Sequence, residues 1–184
     1  IYFVSLGLAY LFIELAFIQK FTLILSQPLY AVAITLCAFL IFSGLGSLYV
    51  QHKIASSSRL IIQKLLTRSV VLIALITLVY ILTLPLLTDY IMALSEPLRI
   101  ATAILLAAPL AFVMGMPFPL GLAGTRHNDP QLMPWAWGIN GCASVLSAIL
   151  AIMLAIEIGF SGVMLSAVLL YALAWISQPV VSLQ

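Results

Sequence analysis

Apolar residues run along this chain in stretches too long for strands and too unbroken for amphipathic helices. A membrane-crossing helix needs about 20 mostly apolar residues. Six stretches come close to or exceed that length: 1–25, 29–50, 66–87, 98–116, 135–157 and 160–177. Polar residues and helix breakers fall between them. Gln27-Pro28 marks a first turn, because the residue before a proline avoids the α region. The segments "QHKIASSSRLIIQK" and "TDYIMALSEP", the connection 117–134 and a tight turn at Gly159 supply the other breaks. The pattern predicts an all-α polytopic membrane protein, a single domain over 1–184 built as a bundle of six transmembrane helices. A β-barrel would instead show short segments of alternating hydrophobicity.

Composition strengthens this reading. Hydrophobic residues make up 65% of the 184 positions and charged residues 7%, against about 45–50% and about 25% in soluble domains. The mean hydropathy is +1.27. The first residues carry neither a basic n-region nor a small-residue cleavage site, so no signal peptide is expected. A start on Ile1 fits a processed product or a piece of something longer. A net charge of +2 is too small to suggest a nucleic-acid partner. Cys37 and Cys142 both lie in apolar runs and read as buried thiols, with no disulfide framework or CxxC pair. His52 and His127 stand alone, without a second ligand three or four residues away, which argues against a metal site.

Lys and Arg in short loops set orientation. Lys53, Arg59, Lys64 and Arg68 flank the second connection, and Arg126 lies in the fourth. The opposite connections hold Asp89, Glu96, Arg99 and Glu157. The basic side is predicted to be cytoplasmic, with both termini on it. Lys20 dissents, near the outer end of the first helix, from where it can snorkel outward.

Small residues let membrane helices approach closely. Ala103, Ala107, Ala111 and Gly115 recur every four residues. Gly141, Ser144, Ala148, Ala151 and Ala155 recur every three or four, and Ser43 and Ser47 enclose Gly44 and Gly46. These read as packing seams.

Glu14 is the sharpest polar feature. A carboxylate at a helix centre costs about 2.5–3.5 kcal/mol on insertion scales, so it is expected to face protein or water, or to be protonated. Lys20 lies six residues on, about 120° around the helix, and is no intrahelical partner; Thr77 lies at comparable depth. A proton or cation site and a structural carboxyl both fit. Asn140 is placed to bridge helices. Trp135 and Trp137 sit where an interfacial aromatic belt belongs. "GMPFPLGLAG", residues 115–124, has Gly115, Pro117 and Pro119 as breakers but no nucleophile, acid–base pair or phosphate-cradling pattern. It is read as geometry. Either the fourth helix stops there at the interface, or the stretch folds back against the bundle.

Four stretches in order, "FIELAFIQKFTLIL", "PLYAVAITLCAFLIFSGLGS", "MGMPFPLGL" and "PWAWGINGCASVLSAILA", resemble the membrane part of large bacterial proteins described as fused major-facilitator/spermidine-synthase-like. The likeness spans most of the chain. It implies a preceding soluble Rossmann-like domain, similar to aminopropyltransferases and binding S-adenosylmethionine-type nucleotides. This sequence has no glycine-rich turn followed by an acidic ribose ligand and no paired acids to hold a polyamine, so no catalytic residue carries over. The matching motifs are Glu14, Gln19 and Lys20, the Pro117–Pro119 stretch, and Trp135 to Gly141.

The resemblance leads to a membrane module of the bacterial inner membrane, anchoring or serving a cytoplasmic enzyme domain or larger complex and not catalytic by itself. Half of a major-facilitator-like transporter for a small solute, cationic or not, is the second expectation. A structural subunit of a multi-subunit complex is the third. Expected partners are the lipid bilayer and other protein chains or a soluble domain outside this sequence, with no cofactor and no nucleic acid.

Overall fold

The computed structural model describes residues 1–54, 59–128 and 130–178. Part of the polar connection at 55–58, Asp129 and the tail beyond Gln178 lie outside that description, as do the side chains of Arg59, Arg126, His127, Asn128 and Pro130. Every element is helical: α1 (Tyr2–Leu25), α2 (Pro28–Ile54), α3 (Arg59–Met92), α4 (Glu96–Met114), α5 (Pro117–Asn128), a 3-10 turn (Pro130–Leu132) and α6 (Met133–Ile176). The protein is an all-α, multi-pass membrane protein.

The number of helices differs from the sequence expectation. Among the described residues five helices, not six, are long and apolar enough to cross a membrane. The stretches 135–157 and 160–177 belong to one 44-residue element, α6. Only Gly159 leaves helical geometry, at φ 68° and ψ −177°, a region open essentially to glycine alone. Gly159 therefore joins two helical arms across a sharp turn. At about 1.5 Å per residue α6 would be some 66 Å long if straight, twice the roughly 30 Å hydrocarbon layer. It is not straight. Asn140 and Tyr171 line one cavity, although 31 residues of straight helix would hold them about 47 Å apart. The arm after Gly159 therefore returns alongside the arm before it.

α1 is the hub. Ala9, Ile13, Phe17, Phe21 and Ile24 are fully buried, as befits a helix surrounded by others. It ends on Ser26 in left-handed conformation, and Pro28 opens α2 with its φ already set for a helix. Both arms of α6 pack along it. Ser147 donates to the Leu8 carbonyl at 2.9 Å, and Lys20 sits 6.0 Å from the Phe160 ring centroid. On another side, Phe17 meets Phe39 of α2 and Tyr80 of α3 edge-on, with centroids at 5.4 and 5.7 Å.

α2 and α4 cross with their backbones touching. A methyl group on Gly46 would strike the Phe112 carbonyl, and one on Gly115 the Ser43 carbonyl. Ala103, Ala107 and Ala111 are buried along the same helix.

The stretch after Gly115 is not the loop its prolines and glycines imply. α4 ends at Met114, and α5 starts two residues after Gly115, with Pro117 as its first residue. Proline is tolerated there because the first amides of a helix have no intrahelical partner. The Tyr2 hydroxyl donates to the Pro117 carbonyl at 2.6 Å, buried, and Gly121 leaves the room that the Tyr2 ring fills. The stretch thus folds back against the bundle.

Candidate functional site

Between α1 and the first arm of α6 lies a cavity of about 530 Å³. Helical periodicity assembles it. Gly7, Tyr10, Leu11 and Glu14 recur every three or four residues and share a face of α1. Trp137, Asn140 and Ser144 do the same on α6. Leu36 and Leu40 of α2, Met114 of α4 and Phe118 of α5 close the sides, and Tyr171 arrives on the returning arm of α6. The walls are mostly aliphatic and aromatic, with a few polar groups. That is the usual make-up of a small-molecule site, and the volume falls in the usual range of about 300–1,000 Å³.

Among the described residues Glu14 is the only ionisable carboxyl on the lining, and it is 5% exposed. Among the described residues no hydrogen bond or ion pair reaches it. Its nearest polar neighbour on α1, Tyr10, does not supply one: the Tyr10 hydroxyl donates to Ser43 Oγ on α2 at 3.1 Å. Ser144 donates to the Asn140 carbonyl at 2.9 Å. Among the described residues no Lys, Arg or His lines the cavity. A carboxylate in apolar surroundings with no cation facing it is electrostatically incomplete. It can hold an ammonium or another donor-bearing head group while the walls hold an apolar body.

The structure gathers some of the sequence candidates and scatters others. Glu14, Asn140 and Trp137 line the cavity. Trp137 sets its ring edge-on to Phe118 at 4.7 Å while remaining 60% exposed. Gly115, Pro117 and Pro119 do not line it, but they position Met114 and Phe118, which do. Gln19 is exposed, and Lys20 points toward Phe160 rather than Glu14. Trp135 is 69% exposed. Thr77 is fully buried, yet among the described residues its hydroxyl has no partner, and it does not pair with Glu14.

Gly141 corrects the seam drawn through it. The residue is exposed, and a methyl group there would meet nothing within 4 Å. The buried face of α6 runs instead through Ala136, Ala143, Ser147 and Ala151. Ser147 fixes that register through the Leu8 carbonyl of α1. Cys37 and Cys142 are free and exposed, not buried.

Tyr10, Ser144, Phe118 and Tyr171 belong to the site but were not singled out as candidates for it. For Tyr10 a signal existed, in its one-turn spacing before Glu14. For Tyr171 nothing local points to the cavity, since the turn at Gly159 brings it there. Among the described residues, no three His, Cys, Asp or Glu cluster as a metal site would require.

Compared with family models, curated proteins and solved structures, the chain gives no match to any of the three.

Proposed function

We propose that this protein is a membrane-embedded binding module for a small amphiphilic cation, an apolar body carrying an ammonium-type head. The observation that carries this reading is Glu14: a carboxyl 5% exposed, on the wall of a 530 Å³ cavity, with no partner among the described residues. Intramembrane acids are costly and mark solute or proton pathways. The head would meet Glu14 and the Asn140 amide, and the body would lie along Leu36, Leu40 and Met114.

A finer topology goes with this proposal. The two arms of α6 cross separately, giving six crossings from five long helices and placing both ends of the chain on one side. The bias of Lys53, Lys64 and Arg68 makes that side cytoplasmic, in a bacterial inner membrane. As half of a major-facilitator-like transporter, the chain would pass the cation on to a second half. As a module of the spermidine-synthase-like kind, it would serve a soluble domain. The second role draws on Gly138 and Gly141, whose open backbone on α6 leaves room for a helix of another chain.

Equilibrium binding tests the reading. A dansyl-labelled alkylammonium should bind the purified chain in detergent, and the alcohol of equal length about tenfold more weakly or worse. Glu14→Gln should reduce ammonium affinity to that of the alcohol. Equal affinity of parent and variant would remove Glu14 from the site.

A further inference from the structure

A second cavity of about 530 Å³, sharing no lining residue with the first, lies between the first turns of α3 and the end of α6. Gln63, Lys64, Thr67, Arg68, Trp175 and Gln178 line it. We propose that it seats a phosphate anion at the membrane surface, presented by the head group of an anionic phospholipid.

Depth is the first argument. Between Arg68 and Asp89 lie twenty uncharged residues, 69–88, which at about 1.5 Å each span the roughly 30 Å of hydrocarbon. Arg68 therefore stands at the level of the lipid phosphates, and Lys64 one turn further out. Trp175, 41% exposed, is of the residue type that collects at that interface.

Charge is the second argument. Lys64 and Arg68 share one face of α3, four residues apart, and among the described residues no carboxylate lines the cavity with them. Among the described residues neither has a protein anion. Two cations held together without a counter-ion make an anion site, and a guanidinium matches a phosphate with two parallel N–H donors. Basic pockets between membrane helices bind anionic head groups in this way.

Rigidity is the third argument. The Trp175 indole N–H donates to Thr67 Oγ1 at 3.0 Å. That bond ties the end of α6 to α3 and holds both sides of the pocket in place, while Gln63 and Gln178 add neutral donors.

Native mass spectrometry of the purified chain in mixed micelles of phosphatidylglycerol and phosphatidylcholine would test this. We expect one retained phosphatidylglycerol, preferred about tenfold over phosphatidylcholine. Lys64→Gln/Arg68→Gln should abolish the preference, whereas Lys64→Arg should keep it. No preference in the parent chain, or an undiminished one in the double variant, would overturn the proposal. A second arm adds inorganic phosphate without lipid and follows the melting temperature. No shift at millimolar phosphate assigns the site to lipid. A shift in the parent that the double variant lacks would support the anion site and overturn the lipid as its source. If the double variant fails to fold, the lipid preference of the parent and of Lys64→Arg still decides.

Discussion

Two helix contacts in this bundle use small residues to opposite ends. Where α2 crosses α4, Gly46 and Gly115 each lie against a backbone carbonyl of the partner helix, and the interface is sealed. Where α1 meets the first arm of α6, Gly7 admits the Asn140 backbone, but the neighbouring turns carry Tyr10, Glu14, Trp137 and Ser144. Those side chains leave a cavity beside the carboxyl. Close approach in hydrocarbon thus depends on what flanks the small residue as much as on the residue itself. The sealed contact holds the bundle together, and the open one provides a binding site.

The strongest way to break the contrast is at the sealed contact. Gly115→Leu would drive a side chain into the Ser43 backbone, which cannot yield as a flexible side chain could. It should cost about 3 kcal/mol or more, at the upper end of overpacking effects, and prevent recovery of a folded chain. Gly141→Leu, on the open face of α6, should stay within about 0.5 kcal/mol of the parent. Thermal unfolding in detergent checks both. Similar losses for the two variants would erase the difference between seam and outer face.

A smaller effect is expected at Gly159. Its backbone is one that side-chain-bearing residues avoid, at a cost of about 1–3 kcal/mol. Gly159→Ala should lower stability by that amount. It should also weaken binding in the cavity, because the return of Tyr171 depends on the bend. Unchanged binding in a destabilised variant would uncouple the bend from the site.

The smallest effect is at Ser147. Its hydroxyl bond to the Leu8 carbonyl ties α6 to α1, and such bonds in membranes average about 0.6 kcal/mol, with a maximum near 1.7. Ser147→Ala should cost an amount in that range by the same unfolding measurement. A larger loss would mean that the bond sets the register of the whole arm.

How much of this was legible in the sequence follows from the range of each signal. Hydropathy is local, so the helices over 1–25, 29–50 and 98–116 stand out in the sequence. α3 runs further at both ends than its apolar core, because Arg59 to Lys64 continue the helix beyond the uncharged stretch. α5 was hidden, since Pro117, Pro119 and Gly121 resemble a loop until Tyr2 is seen to cap the turn and fill the space at Gly121. Glu14 was conspicuous as the one acid deep in an apolar run. Its cavity was not, because that depends on the register of α6. Small-residue spacing put Gly141 on the seam, whereas the Ser147 hydrogen bond to α1 goes with Ala143 and Ala151 turned inward. Tyr171 needed the whole path of the chain through Gly159.

The central claim is that Glu14 receives the cationic head of a ligand inside the bilayer. Its most direct test is modification by dicyclohexylcarbodiimide, an apolar reagent that enters membranes and activates carboxyl groups there. The competitor is hexyltrimethylammonium, which an activated carboxyl cannot acylate. Peptide mass spectrometry should find the adduct on Glu14, and saturating hexyltrimethylammonium should slow its formation about tenfold, while the uncharged alkane analogue leaves the rate unchanged. An adduct on Glu14 that forms equally fast with and without the cation would contradict the account.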